Sequence, residues 1–446
     1  MTLLVISPDY ASHLYPLATM ATAWQAAGER VVIATGPATD DIVRGFGLER
    51  EHLQLGRGSN PGVIRVEDQP TGEDEALSGF FAATRRGAVE ALMFQASARG
   101  DDLLWDPLRV AKEVAAVVDR VRPDQVIVDH LAFSARLALT AAGVRHGDVV
   151  LGHPTALTVG DEVYGYPPAW PQSFSPDAAA LERLHALCVR VRDTFTERWN
   201  ETLHTLDPSA SASNDAFAET GDVLLLNYPE ELHPPERTRL LPRHTFLGSA
   251  VRTEAPDAEV EAWLSASAEP VVYVSLGSFL SVRSDVLARV AAGLRELPVR
   301  VALASGSADL ADLGPLPDSW LVRRVLPQVR LLQDSVATVT HGGNNSVTES
   351  LTAGVPMLVL PFSTDQFAAA AALEDFGYGE VLDPNALSPV DIRHAIGRLL
   401  VPSAGVHTAL RGLSDRLTTD TGPVRARAAL TSTLRRRSRG RPSRPR

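Results

Sequence analysis

The opening residues 3–7 read LLVIS, a short run of apolar and β-branched side chains that fits a strand buried on both faces. From residue 16 to residue 27 the apolar positions recur at helical spacing until Gly28 stops them, and residues 31–35 (VVIAT) predict the next strand. Strand, helix and strand in that order build parallel sheet. The alternation returns at residues 126–129 (VIVD), a predicted helix over 132–142, and residues 148–152 (DVVLG). Residues 51–87 between these blocks are rich in Gly, Asp and Glu without clear period, which predicts long loops over the carboxyl edge of the sheet, where binding sites are usually shaped. A Pro-rich loop over 164–176 precedes helices that run to about residue 206, and residues 222–227 (DVLLLN) read as the last strand of the first half.

Residues 229–256 carry Pro229, Pro234, Pro235 and Pro242, the breaker density of an interdomain linker. Alternation restarts at 271–275 and repeats at 301–304, 319–325, 337–340 and 357–360. The pattern predicts an α/β protein of two domains, residues 1–228 and 257–434, each with a parallel sheet, and 446 residues is an ordinary length for two domains. Residues 435–446 hold seven Arg with Gly and Pro but no apolar face, so a basic disordered tail is expected there.

Composition narrows the chemistry. With 45% hydrophobic and 22% charged residues the chain can bury two cores, and disorder is excluded as its main state. The formal charge is −12, and removing the tail's seven positive charges takes the rest to −19, so a general basic surface for nucleic acid is absent and no nucleic-acid partner is expected. A lone cysteine, Cys188, excludes internal disulfides and multi-cysteine metal sites and fits a reducing compartment. No basic stretch precedes the apolar residues 2–6, and no run approaches the roughly 20 apolar residues of a membrane span, so a cytoplasmic protein without stable membrane insertion is expected. The lone lysine, Lys112, lies in a helical apolar pattern with no Gly-rich loop before it, which leaves no Walker motif. The chain has no Asp-x-Asp triplet and its histidines are scattered, so no metal is expected.

The sharpest chemical signal is residues 339–356, VTHGGNNSVTESLTAGVP. A strand ends at Thr340, His341 stands at its carboxyl end, and Gly342-Gly343 turn the backbone into a helix that Gly354 and Pro356 stop. Such a helix N-terminus offers free N–H groups and a favourable dipole to a diphosphate; His341, Asn345 and Ser346 add side-chain donors. Glu349, four residues after Asn345 on the same face, is placed to accept both hydroxyls of a ribose. A Gly-rich turn with an ordinary capping Asn is the simpler alternative, which the combination of His, Asn, Ser and Glu disfavours.

This segment resembles the donor signature of family 1 glycosyltransferases of natural-product type, inverting, metal-independent enzymes whose two Rossmann-like domains face each other across a cleft, the GT-B architecture. The resemblance extends over about residues 271–382. It implies that Ser278, His341, Gly343, Asn345 and Ser346 meet the diphosphate, that Gln328 contacts the base, and that Asp365 and Gln366 hold the sugar hydroxyls. Val325 stands where the family usually carries a base-stacking aromatic residue, which implies a weaker or different stack. In the first half, SHLYP over residues 12–16 resembles the family's Gly-His-x-x-Pro, with Ser12 in place of Gly, and Asp129 resembles the partner Asp. His13 is accordingly expected as catalytic base on a loop after the first strand. An imidazole with an ordinary pKa of about 6.5 can take a proton from an acceptor hydroxyl, and a carboxylate must orient it.

The other candidates are weaker. His130, next to Asp129, is expected to face away if the strand continues. His153 is placed to line the acceptor cleft or to be an ordinary loop histidine, and the aromatics of 164–170 either cover an apolar acceptor or simply pack. The implied activity is transfer of a sugar, with inversion, from a nucleoside diphosphate to a small lipophilic acceptor. No resident cofactor is implied, and the expected co-substrate is a uridine or thymidine diphosphate sugar. The resemblance also implies bacterial secondary metabolism. A sugar-nucleotide epimerase of related fold and a catalytically silent sugar-nucleotide-binding homologue are the alternatives.

Overall fold

The computed structural model describes residues 1–63, 69–70 and 72–438. In the first half, β1 (Thr2–Ile6), β2 (Arg30–Thr35), β3 (Glu49–His52), β4 (Gln125–Asp129), β5 (Gly147–Val150), β6 (Val223–Leu226) and β7 (His244–Phe246) form one sheet in the order β3-β2-β1-β4-β5-β6-β7. Each neighbouring pair is parallel. The second half repeats the plan with β8 (Val271–Ser275), β9 (Arg300–Ala304), β10 (Leu321–Arg323), β11 (Ser335–Thr340), β12 (Met357–Val359) and β13 (Gly379–Val381), ordered β10-β9-β8-β11-β12-β13 and again parallel. Strand order reverses between β1 and β4 and between β8 and β11. Open parallel sheets bind ligands at the carboxyl ends of the strands at such switch points.

The period-2 alternation of β1 explains the layering. Leu3 and Val5 pack with Leu14, Leu17 and Trp24 of the helix Ala11–Ala26. Leu4 and Ile6, on the opposite face, pack with Val110, Val114, Val117 and Val121 of the helix Pro107–Val121, whose spacing of four, three and four residues makes one apolar stripe. A strand covered on both sides has no polar face to show, which is why LLVIS carries none.

Four expectations shift. The helix expected from residue 16 begins at Ala11, so His13 stands in a helical first turn rather than on a loop. Pro16 lies inside that helix, where its missing N–H leaves the carbonyl of Ser12 without its usual partner. The stretch expected as loops takes in the end of β3 and the helix Glu73–Arg86, whose Leu77 and Phe81 pack on Phe279 and Val282 of the second half. Acidic residues crowd its first turn and basic residues its last, a charge order that favours a helix whatever the apolar period. Residues 64–68 and 71 of that stretch lie outside the described residues.

The segment expected as linker contains β7, paired parallel with β6, so the first sheet reaches past residue 228; three residues among prolines are too short to show a period. At the other end, the helix Gly422–Ser438 leaves the second half and packs on the first, with Ala426 and Leu430 in the core beneath β1 and Arg427 paired to Glu29 at 2.7 Å. It also extends four residues into the stretch expected as a disordered tail; residues 439–446 of that tail lie outside the described residues. Among the described residues no helix is long and apolar enough to cross a membrane.

Candidate functional site

His13 and Asp129 stand at the first switch point, one after β1 and the other ending β4. Their side chains meet, Nδ1 to Oδ2 at 2.7 Å. Asp129 is fully buried, and its other oxygen accepts from the Leu131 N–H at 2.8 Å, so both carboxylate oxygens are fixed. An ionised carboxylate can only accept, which assigns the His13 proton to Nδ1 and the ring's lone pair to Nε2. The His13 side chain keeps 23% of its exposure, enough to meet a substrate.

At the second switch point, β11 delivers His341. Gly342 takes φ +84°, a left-handed turn natural to glycine, and Gly343 is the N-cap of the helix Asn344–Ala353, with no side chain capping the helix. Among the described residues no side chain accepts from the N–H groups of its first turn, which also lack intrahelical acceptors. The helix stops at Gly354, in the left-handed region at φ +71°. Glycine also sets how close the ring can come. A Cβ on Gly277 would stand 2.6 Å from His341 Cε1, and one on Gly343 would run into Nε2, so the imidazole lies clasped between two glycines. Its Nδ1 is enclosed without a hydrogen-bond partner among the described residues, and burial pushes its pKa down to about 4. A neutral His341 can donate one hydrogen bond to a departing phosphate but brings it no positive charge.

One cavity of about 2310 Å³ is bordered by His13, Asp129, Ser278, His341, Asn345 and Glu349, so the two switch points face the same space. Several expected donor-site residues reach across it. Asn345 Nδ2 donates to the Ser12 carbonyl at 2.7 Å, the group that Pro16 leaves unpaired within its helix. Ser278 Oγ accepts from Asn60 Nδ2 at 3.2 Å, and Asp365 Oδ2 accepts from the backbone N–H of His153. Gly152 permits that last contact, since a Cβ there would lie 2.7 Å from the same oxygen.

The other residues expected at the donor site also border the cavity. Glu349 is buried and accepts from Gln328 Nε2 and, at 2.6 Å, from Arg252 Nη1. Burial raises its pKa, with Arg252 and Gln328 opposing the rise. Ser346 Oγ lies 3.5 Å from Gln328 Oε1. Gln366 turns its Oε1 back to the N–H groups of Phe362 and Ser363 at 2.9 and 3.2 Å, bracing the turn that carries Asp365. Val325 borders the cavity with 58% of its surface exposed, an open apolar side chain at the position expected beneath the base.

His153 does not line the cavity, although Gly152 and Thr155 do. Its ring is buried beside Tyr228, with Nδ1 2.9 Å from Thr155 Oγ1. His130 borders the cavity, because the chain leaves β4 at Asp129 and strand alternation no longer governs the next residue. It is enclosed, and burial pushes its pKa down to about 4, with the nearby Arg136 charge adding to the fall. In the Pro-rich loop, Tyr164 and Tyr166 both border the cavity, Tyr164 also stacking on Phe217 at 4.0 Å, while Trp170 packs on Phe367 at 4.6 Å. Sequence reading misses Arg252, Asn60 and the Ser12 carbonyl. Pro16 in a helical pattern was the one signal for the last, and a basic side chain in a linker carries none for the first.

Among the described residues no group of three or more His, Cys, Asp or Glu side chains is placed to hold a metal ion. The arrangement instead supplies a buried acid-backed imidazole on one side of a cleft and an uncapped helix N-terminus on the other.

Comparison with known proteins agrees with this plan. A desosaminyl transferase acting on 3-alpha-mycarosylerythronolide B, from Saccharopolyspora erythraea, is 24% identical over 434 residues, covering 91% of this chain and 92% of its own. An uncharacterized UDP-glucosyltransferase of Bacillus subtilis, YdhE, is 28% identical over 187 residues, covering 41% of this chain and 47% of its own, so such curated relatives are matched over about half of their length. Among solved structures, the glycotransferase of kitacinnamycin superposes with a TM-score of 0.69 at 22% identity, covering 97% of this chain and 99% of that one. The glycosyltransferase VinC in complex with dTDP gives 0.66 at 19% identity, covering 98% and 100%. These likenesses establish the GT-B fold. A family model, UDP-glucoronosyl and UDP-glucosyl transferase, matches residues 179–406, slightly more than half of the chain, and the protein belongs to that family.

Proposed function

We propose that the protein transfers a sugar from a nucleoside diphosphate to a hydroxyl of a small lipophilic acceptor, in one displacement that inverts the anomeric carbon. The observation that carries this reading is the His13–Asp129 pair opening into the same cavity as His341 and the N-terminus of the helix Asn344–Ala353. A base that faces the apolar wall of the cavity suits an acceptor hydroxyl better than the ring proton an epimerase would remove, and a silent homologue has no need to keep one.

The chemistry can be built from these groups. His13 Nε2 takes the acceptor's hydroxyl proton as that oxygen bonds to the anomeric carbon, and the bond from that carbon to the phosphate oxygen breaks. Asp129 steadies the imidazolium that forms, which later releases its proton to water. The diphosphate leaves with the electron pair of the broken bond, against the first-turn N–H groups of the helix and a hydrogen bond from His341. Ser278, Gly343, Asn345 and Ser346 surround the diphosphate. Gln328, Val325 and Glu349 take the nucleoside, while Asp365 and Gln366 take the sugar.

Because Ser278, Asn345 and Asp365 bond across the cleft, donor binding exchanges some of these contacts for contacts to the donor. The acceptor side is apolar, bordered by Leu77, Phe80, Phe94, Leu131 and Phe133, which favours a lipophilic aglycone. VinC in complex with dTDP and the desosaminyl transferase support a thymidine or uridine diphosphate sugar as donor and a natural-product acceptor. A cytoplasmic location belongs to the same reading. Product analysis after incubation with uridine and thymidine diphosphate sugars and a panel of aglycones, in excess chelator, tests it. Glycosylated product with stoichiometric nucleoside diphosphate is expected; an epimerised sugar nucleotide, or no product from any pair, overturns it.

A further inference from the structure

Arg252 lies between the two sheets in sequence, yet its guanidinium sits inside the cleft against the second domain's helix. Nη1 donates to Glu349 Oε1 and Nη2 to Glu254 Oε1, each at 2.6 Å. The guanidinium carbon lies 5.0 Å from the centre of the Tyr15 ring, on the helix that carries His13. Gln328 Nε2 holds the second oxygen of Glu349. A carboxylate has about four acceptor positions, so these two donors fix the group while leaving each oxygen a second position. We propose that Arg252 is a positioning residue of the donor site, holding Glu349 ionised and aimed so that its remaining lone pairs accept the ribose hydroxyls. The proposal rests on the donor-site reading above and adds to it a residue that the linker supplies.

The physical need is plain. Glu349 is only 5% exposed, and a carboxylate taken that far from water holds a proton unless a cation faces it. The groups that face it are Arg252, Glu254, Gln328 and the buried phenol of Tyr273. Only Arg252 among them is positive. Glu254 is a second negative charge, though its other oxygen is spent on the backbone N–H of Arg330 at 3.0 Å. Without Arg252, Glu349 becomes a neutral acid, which loses acceptor capacity toward two hydroxyls.

The test is calorimetric binding of uridine diphosphate and of its 2′,3′-dideoxy analogue between pH 7 and 9, to the wild type, Arg252→Met, Arg252→Lys and Glu349→Gln. Wild-type affinity for uridine diphosphate is expected to be flat across this range. Arg252→Met should bind it about tenfold or more weakly at pH 7, as for a lost hydrogen bond to a charged group, and recover as pH rises and Glu349 ionises late. Arg252→Lys should stay close to the wild type, Glu349→Gln should be weak at every pH, and the dideoxy analogue should not distinguish wild type from Arg252→Met. Arg252→Met binding like the wild type, or weakened equally for both nucleotides at every pH, overturns the proposal. If Glu349→Gln also binds like the wild type, the donor-site reading falls with it.

Discussion

The Ser12 carbonyl and the Asn345 amide meet across the cleft at 2.7 Å because Pro16 has removed the helix's own donor to that carbonyl. A proline inside a helix normally leaves an unpaired acceptor at the residue four before it. Here that acceptor belongs to the residue beside His13, and the donor belongs to the helix proposed to hold the diphosphate. The two halves of the site are thereby in direct contact.

Coupling of this kind is measurable in a double-mutant cycle. Asn345→Ala should destabilise the protein by about 1 kcal/mol, the usual net worth of one hydrogen bond. In a Pro16→Ala background the same change should cost clearly less, because the backbone N–H restored by the substitution can now serve the Ser12 carbonyl. Denaturant titrations showing the same cost in both backgrounds would refute the link.

His13→Ala should lower turnover by about 10²–10⁴, the range of a general base, while nucleotide affinity stays close to the wild type, since the residue belongs to the half proposed to hold the acceptor. Asp129→Asn should act in the same direction, by favouring the wrong tautomer and leaving the imidazolium unsupported. Steady-state kinetics within tenfold of wild type for His13→Ala would remove it from the mechanism.

Stability should fall in mildly acidic solution. His130, His233 and His341 have folded pKa values near 4, depressed mainly by burial, against about 6.5 when unfolded. The folded state therefore binds fewer protons, and the stability that this difference contributes is complete above pH 6.5 and drains away as pH falls toward 4. Denaturation midpoints should drop steadily between pH 6.5 and 5, before most carboxylates titrate. A flat midpoint over that window would show that these rings are not held neutral.

Two truncations separate the last helix from the basic residues beyond it. Deleting residues 439–446 should leave melting temperature and turnover unchanged, since that stretch has no apolar face. Deleting residues 422–446 should destabilise by several kcal/mol, because Ala426 and Leu430 leave the core of the first domain and the Arg427–Glu29 pair is lost. Val424, which helical periodicity alone would offer as a core contact, is 61% exposed and carries none of that loss. Equal melting temperatures for both truncations would contradict the packing.

How far the sequence could be read depended on what kind of signal each element leaves. Strands buried on both faces, such as β1 and β8, announce themselves as unbroken apolar runs, and the HGG turn into a helix marks a strand end by glycine chemistry alone. Elements of three or four residues, such as β3 and β7, have no room for a period and take their place only from neighbouring strands. His13 and Asp129 were legible because one follows and the other ends a readable strand. Arg252 was not, since a linker arginine becomes part of the site only when the chain folds it back onto Glu349, a pairing set by tertiary contact rather than by spacing. The start of the first helix was hidden by Pro16, whose interior position depends on a donor 329 residues away in the chain, Asn345.

A single displacement across the cleft inverts the anomeric carbon, so the decisive readout is the anomeric configuration of the product. The glycoside formed from an α-linked nucleoside diphosphate sugar should be examined by the proton coupling constant of its anomeric centre. A β-linked glycoside is expected from the wild type and almost none from His13→Ala. An α-linked product, or a β-linked product formed as fast without His13, would contradict it.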